Sequence, residues 1–198
     1  MGCKYDRLPG GTDQLYQKPV NHIHGIVVVL RGELVYGGGR RRRGLPAQAA
    51  AVVCDAFLSE LLPRIEAHGT QLCFEPLGPR DTDFLNTAKD CLMLVQRFNH
   101  PALCFQLDAK ALVENGEDDD VIFQAAKGCI GHYHANDPGL VVVGSTGIVN
   151  HRMLGRHLAA VGYDGWVSIE QRQLSETAPV ADLAASIAAV RQHYGAAC

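Results

Sequence analysis

Four acidic or imidazole side chains stand at or near the ends of four separate apolar runs, and their spacing constrains the fold more than any other feature. Glu75 follows QLCF, Asp108 ends LCFQLD, His134 lies in IGHYHA, and Glu170 follows GWVSI. They are separated by 33, 26 and 36 positions, close to the length of one strand–helix repeat. A parallel barrel of alternating strands and helices brings the carboxyl ends of its strands to one rim. The spacing therefore predicts that the four side chains meet there.

Three carboxylates and one imidazole make a set of hard oxygen and nitrogen ligands. Such a set suits Mn²⁺, Mg²⁺ or Co²⁺ and is also open to Zn²⁺. At Asp108, a carboxylate behind a mostly apolar strand is costly to bury unless it binds a metal or accepts hydrogen bonds. For Glu75 the alternative is a solvated carboxylate at a loop edge, which the spacing alone does not exclude. The pattern predicts a divalent-metal site.

Five segments, in order, carry a resemblance to a known family: EPLGPRDTDFLNT, QLDAKALVENGED, GHYHANDPG, GSTG and GYDGWVSIE. They resemble the sugar phosphate isomerase/epimerase family, the xylose-isomerase-like TIM barrels of the AP endonuclease family 2 superfamily. The resemblance implies four metal ligands, Glu75, Asp108, His134 and Glu170. It also implies that Glu75 and Glu170 are the catalytic pair: one removes a proton beside the sugar carbonyl and the other returns one, through an enediolate.

The sequence signals for substrate-contacting residues are weaker than those for the metal ligands. Asn136 and Asp137 follow the histidine strand and are predicted to bind the substrate or to orient His134; a plain turn in NDPG is the alternative. The resemblance places Arg80 in a substrate-side loop. The chain departs from the family at Gly78, where asparagine is common, and at Ala111, where ketose epimerases carry a histidine. Both departures count against ketose 3-epimerase specificity.

Two further groups of polar residues leave alternatives open. In HYH, His132 shares a strand face with His134 and is predicted to be a supporting or core residue, while the other seven histidines are expected at the surface or in loops. Residues 37–39 are glycines followed by four arginines. This loop could cradle an anion, although a solvated charged loop is the favoured interpretation.

Apolar periodicity predicts an α/β chain built as an incomplete TIM (β/α) barrel. Residues 1–20 are polar and glycine-rich and are expected to be an irregular lead-in, with the partial barrel domain over 21–198. Parallel strands are predicted near 33–37, 71–76, 102–108, 129–135 and 165–170. Predicted helices between them include 46–68, with Val53, Phe57, Leu61 and Ile65 inward, and a last helix with Val180, Leu183, Ile187, Val190 and Tyr194 on one face.

Five strands are three fewer than a complete barrel, which takes about 200 to 250 residues. The shortfall corresponds to the family's amino-terminal strands. It leaves three explanations open: a truncated gene model, a natural fragment, or a homo-oligomer that closes the barrel between chains. An open parallel sheet would expose its edges to such pairing.

Charge, apolar stretches and cysteine spacing indicate neither a nucleic-acid-binding nor a membrane nor a disulfide-rich protein. The formal net charge is -3, so no general attraction to nucleic acid or to an anionic membrane is expected. No apolar stretch reaches transmembrane length and the first residues lack a signal-peptide core, so the cytoplasm is the expected location. The seven cysteines include no C-x-x-C pair and are expected to be free thiols.

The leading functional hypothesis is a divalent-metal-dependent isomerase or epimerase of a small sugar, sugar phosphate or polyol. One alternative is a barrel fragment that binds metal but is non-catalytic or active only when assembled. A second is a dehydratase of the inosose type. An endonuclease of the same superfamily is disfavoured, because its multi-histidine zinc set is incomplete here and the chain is acidic.

Overall fold

The computed structural model describes residues 26–29, 33–36 and 40–195, the first two ranges by their backbone alone. It contains one six-stranded sheet in which the strands lie side by side in chain order. The strands are β1 Ile26–Val29, β2 Glu33–Tyr36, β3 Gln71–Phe74, β4 Leu103–Asp108, β5 Ile130–Ala135 and β6 Val167–Ile169. The proposed lead-in over residues 1–20 lies outside the described residues.

Strands β2 to β6 run parallel to one another, and these are the five strands expected from the sequence. Each pair is joined by a segment that contains at least one helix, as in a TIM barrel. The register places Asp108 beside His134 and His134 beside Ser168, so the ends of β4, β5 and β6 lie level. The fold is therefore an incomplete TIM barrel of parallel β/α units.

Strand β1 was not predicted, and it pairs with β2 in the antiparallel direction. Three residues separate the two strands, a connection long enough for a hairpin but too short for the crossover that a parallel pair needs. The antiparallel edge is thus set by the length of the connection.

Six helices accompany the sheet: α1 Ala47–Glu66, α2 Ala88–Phe98, α3 Ala109–Asn115, α4 Asp120–Ala125, α5 His151–Ala160 and α6 Pro179–Tyr194. Helix α3 was not predicted. It starts directly after β4, where the Asp108 side chain accepts a hydrogen bond from Ala111 N, and it ends at Gly116, whose positive φ is the usual helix stop.

The predicted inward face of α1 is wrong in two of its four residues. The helix buries Ala50, Cys54, Leu58, Leu62 and Ile65, and the partly buried Leu61 packs against the core, whereas Val53 is 60% and Phe57 is 40% exposed. Both sets recur at about four residues, so spacing alone does not choose between them. The position of the sheet decides which set is buried.

The last helix is also less buried than its pattern predicts. Tyr194 is fully buried and Val190 packs against the core, but Val180, Leu183 and Ile187 are exposed.

Within the described part of the chain, no helix combines the length and the apolar character needed to cross a membrane.

The two faces of the sheet have different environments. Leu72, Phe74, Phe105, Leu107 and Tyr133 join the helices in the main hydrophobic core. The opposite face of the same strands carries a separate buried pair, Cys73 and Cys104, and, further along, the polar residues of the site. All cysteines in the described residues are free thiols: Cys54, Cys73, Cys91, Cys104 and Cys129.

Candidate metal centre

The strand ends bring the four expected ligand residues to one edge of the sheet. Asp108 is the last residue of β4 and His134 lies one residue before the end of β5. Glu75 and Glu170 directly follow β3 and β6. Because all four strands are parallel, their carboxyl ends share this edge, and the order along the rim is the order in the sequence.

Three of these side chains form a compact ligand group. Glu75, Asp108 and His134 each offer one atom, and these atoms lie within 4.8 Å of one another. The Nδ1 atom of His134 faces the group, 3.2 Å from Glu75 Oε1 and 3.7 Å from Asp108 Oδ2. Glu75 and Asp108 are buried, so the group is largely removed from bulk water.

Glu170 completes the cluster from its more open side. Its Oε2 atom lies 3.8 Å from His134 Nδ1, and its side chain is 43% exposed. Asn136 ties it to Asp108: the side-chain Nδ2 of Asn136 donates to Asp108 Oδ2 at 2.6 Å and to Glu170 Oε2 at 2.7 Å. Burial, followed by the charge of Asp108, raises the pKa of Glu170 above its usual value.

The negative charges of the clustered carboxylates favour a positive charge between them. Burial by itself lowers the pKa of His134, but hydrogen bonds and charges from Asp108 and Glu75 outweigh it and raise this pKa to about 10. The imidazole is thus held as a cation among carboxylates. A divalent cation satisfies the same demand, and the oxygen and nitrogen donors fit Mn²⁺, Mg²⁺, Co²⁺ or Zn²⁺. The residues present therefore fit a metal ion.

Hydrogen bonds offset part of the free-energy cost of burying the Asp108 carboxylate. Its Oδ1 accepts from Ala111 N and its Oδ2 from Asn136, so this carboxylate has partners without a metal. Asn136 was expected to bind the substrate or to orient His134. In the structure its Nδ2 contacts Asp108 and Glu170, and its Oδ1 accepts from Lys110 N at 2.8 Å.

Gln106 is a neighbour of the cluster that the sequence analysis missed. Its side chain is fully buried, and its Nε2 lies 2.7 Å from Glu75 Oε1 and 2.7 Å from His134 Nδ1. The available signal was a single amide in an otherwise apolar strand, two residues before Asp108 and so on the same face. His132, the strand partner of Gln106, is buried as expected; desolvation and His134 lower its pKa to about 4.

Arg40 was expected in a solvated loop but is buried. Its Nη2 donates to the backbone oxygen of Glu75 at 2.6 Å and to that of Leu85 at 3.1 Å. Its guanidinium lies 4.9 Å from the centre of the Phe74 ring. The first arginine of the run therefore holds the backbone at the tip of β3. The glycines over 37–39 lie outside the described residues.

Asp137 and Arg80, two predicted substrate contacts, have very different surroundings. Arg80 is exposed. Asp137 is fully buried and accepts hydrogen bonds from Gly144 N, Thr146 Oγ1 and His151 Nε2. These bonds tie the start of the loop after β5 to its later residues and to the start of α5.

His151 was expected at the surface but is buried. Its Nδ1 lies 2.7 Å from the hydroxyl of Tyr194 on α6, and burial lowers its pKa. It is held as a neutral imidazole that donates to Asp137 and accepts from Tyr194.

The fold and the site together define a class of protein. The model of the xylose isomerase-like TIM barrel family matches residues 24–193. The chain belongs to this family. No curated protein matches it.

Several solved structures have a similar fold. D-psicose 3-epimerase from Clostridium cellulolyticum H10, solved with D-tagatose, superposes with a TM-score of 0.72 at 18% identity, over 80% of this chain and 61% of that one. The 3-keto-D-glucoside 4-epimerase from E. coli gives 0.65 at 22% identity, over 81% and 63%. A D-psicose 3-epimerase in the presence of D-fructose gives 0.62 at 21%, over 70% and 54%. The chain thus spans 54% to 63% of the length of these structures.

Proposed function

We propose that this chain carries the metal site and the acid/base pair of a divalent-metal-dependent isomerase or epimerase acting on a small sugar, sugar phosphate or polyol. The observation that carries the proposal is the convergence of Glu75, Asp108 and His134 at the strand ends, with Glu170 joined to them through Asn136. Membership of the family supports it, as do epimerases among the proteins of similar fold.

The proposed metal ligands are Glu75, Asp108, His134 and Glu170. When bound, a divalent cation supplies positive charge for the oxygens on which charge develops as a proton leaves the carbon beside a carbonyl. The four side chains would hold it at the rim.

Glu75 and Glu170 are the proposed acid/base pair. Glu170 is the more exposed of the two, and its raised pKa brings it closer to neutral pH, where a group both accepts and donates protons efficiently. Glu75 is held by Gln106 at its carboxylate and by Arg40 at its backbone. One glutamate would take the proton and the other would return one from the opposite face.

The proposed substrate contacts remain Arg80, Asn136 and Asp137. Arg80 is exposed and is the first to test. Asn136 and Asp137 already use their side chains in hydrogen bonds within the protein, so either would meet a sugar hydroxyl only by giving up such a bond. The methyl group of Ala111 offers no hydrogen bond to a sugar.

Solvent proton exchange tests the activity directly. The protein is loaded with Mn²⁺, incubated in D₂O with a panel of ketoses, sugar phosphates and inososes, and followed by NMR. We expect deuterium at the carbon beside the carbonyl of at least one substrate. Glu170→Gln should lower the exchange rate by about 10²–10⁴-fold, the usual contribution of a positioned acid or base. Absence of exchange across the panel, in protein shown to hold the metal, contradicts the proposal.

A second candidate is a barrel that binds metal but turns substrate over only when assembled. Two observations favour it. The apolar side chains of Val53 on α1 and Val180 on α6 are exposed, and the chain spans only 54% and 61% of the length of two of the epimerase structures. Under this candidate, metal binds to the isolated chain and exchange appears only in a larger species. Metal content measured together with solution mass separates the two cases.

The dehydratase alternative uses the same panel. Loss of water from an inosose, with a product that lacks one oxygen, identifies it. Exchange or epimerisation without loss of water identifies the leading candidate.

A further inference from the structure

Gln106 lies beneath the ligand group, in contact with two of its members. It is on β4 two residues before Asp108, so the two side chains point to the same face of the sheet. Its Nε2 donates to Glu75 Oε1 at 2.7 Å and lies 2.7 Å from His134 Nδ1. The amide nitrogen thus sits between a ligand from β3 and a ligand from β5.

When Nδ1 of His134 carries no proton, as in an imidazole that binds a metal through this atom, the orientation of the amide is set by Glu75. If the amide were turned over in that state, its Oε1 would stand at hydrogen-bond distance from Glu75 Oε1, and two acceptor oxygens would face each other. A protonated Nδ1 would instead favour the turned-over amide, whose Oε1 would accept from it. In the observed orientation the carboxylate receives a proton. The contact is therefore directional and depends on the N–H group of Gln106.

The carbonyl oxygen of the same amide, Gln106 Oε1, lacks a hydrogen-bond donor among the described residues, although this atom is buried. A buried acceptor without a donor is unfavourable, and an apolar side chain of similar length would avoid that penalty. Packing of β4 alone does not call for glutamine, whereas the bond to Glu75 does.

We propose that Gln106 is a positioning residue that fixes the carboxylate of Glu75 for metal binding and proton transfer. The inference rests on the proposed function. Glu75 is held at its backbone oxygen by Arg40 Nη2 and at its carboxylate by Gln106 Nε2, and the same Oε1 atom lies 3.2 Å from His134 Nδ1. The bond from Gln106 keeps this oxygen from turning further toward His134. Loss of such outer partners typically lowers metal affinity or activity by about 10–100-fold.

The test is Gln106→Met, which keeps the length of the side chain and removes the N–H donor. Titration with Mn²⁺ should give a dissociation constant raised by about 10–100-fold, and the Co²⁺-loaded variant should have a shifted visible absorption spectrum. Thermal unfolding of the metal-free protein should be unchanged or improved. Gln96→Met, on the exposed side of α2, is the matched control and should bind both metals as the unsubstituted protein does.

A double-mutant cycle separates positioning from a general effect on the fold. In a Glu75→Gln background, Gln106→Met should cost little further metal affinity, since its partner carboxylate is gone. An equal cost in both backgrounds overturns the inference. Gln106→Asn, whose shorter amide cannot reach Glu75, should weaken binding in the same way and decides the question if the methionine variant does not fold.

The two proposals fail in different ways. If the unsubstituted protein binds Mn²⁺ and Gln106→Met binds it equally well, the role of Gln106 is wrong and the metal site stands. If the unsubstituted protein takes up no divalent metal, the proposed function falls, and the role of Gln106 falls with it.

Discussion

The carboxylates at the strand ends are held in place by two buried amides. Gln106 donates to Glu75, and Asn136 donates to both Asp108 and Glu170. Asn136 is thus the link between the buried part of the cluster and its more exposed glutamate. Without this amide, two carboxylates would face each other across the rim with no proton between them, which is unfavourable for like charges in a partly buried site.

Replacing Asn136 should therefore weaken metal binding. We expect Asn136→Ala to raise the dissociation constant for Mn²⁺ by about 10–100-fold, as is typical for loss of an outer hydrogen-bond partner. Isothermal titration calorimetry measures it.

Asn150→Ala is the matched control for this substitution. Asn150 caps α5 by accepting from Met153 N, and loss of such a cap costs about 1 kcal/mol of stability. The control should lower the free energy of unfolding without changing metal affinity. Equal metal affinity in Asn136→Ala and the unsubstituted protein would contradict the linking role.

The raised pKa of His134 predicts how the stability of the metal-free protein depends on pH. Its folded value of about 10 lies above the ordinary 6.5, so the folded protein binds this proton more tightly than the unfolded chain. The stabilisation is complete below about pH 6.5 and is lost as pH rises through about 10. Urea unfolding across this window should show a steeper loss of stability than in His134→Gln. Parallel pH curves for the two proteins would refute the assignment.

The position of the four proposed ligand residues at one rim was predictable, because each lies at or near the end of an apolar run and parallel strands bring their ends together. Their partners were harder to predict. Gln106 is one polar residue within a buried strand, and nothing in its local sequence states that a glutamate from β3 lies within hydrogen-bond distance. Asn136 was noticed, but its partners belong to β4 and the end of β6, and only the register of the sheet reveals them.

Among helices and strands, local pattern predicted most boundaries but not which face of a helix is buried. Helix α1 carries apolar residues on two sides, and the set containing Leu58 is inside while Val53 is outside. Helix α3 is only seven residues long, too short for a periodic signal. Its start depends on Asp108, which caps the helix and also belongs to the proposed metal site.

Two substitutions on α1 test the buried face. Leu58 is fully buried, so Leu58→Ala should lower the free energy of unfolding by about 2–5 kcal/mol. Val53 is 60% exposed, so Val53→Ala should change it by no more than about 0.5 kcal/mol. Urea denaturation measures both. The reverse order of effects would show that the face expected from the sequence is the buried one.

The described part of the chain as a whole leaves apolar surface open on two sides. Val53 and Phe57 on α1, and Val180 and Leu183 on α6, are exposed, and β6 lies at the edge of the described sheet. Exposed sheet edges and contiguous apolar side chains favour association. A complete barrel has no open edge, so association at these sides would protect them.

We therefore expect the chain to self-associate at micromolar concentrations through the α6 side. Leu183→Glu should shift the solution mass, measured by light scattering, toward the monomer without changing Mn²⁺ affinity, since α6 supplies no proposed ligand. Gln192→Glu adds the same charge at an exposed polar position of the same helix and should leave the mass unchanged. A monomeric unsubstituted protein would contradict this expectation.

The metal site itself is tested most directly by titration with Mn²⁺, followed by electron paramagnetic resonance, in the unsubstituted protein and in Asp108→Asn. We expect one bound ion per chain. We also expect Asp108→Asn to lose more affinity than the roughly 10–100-fold typical of an outer partner, because Asp108 is a proposed ligand. No uptake by the unsubstituted protein, or the same affinity in Asp108→Asn, would contradict it.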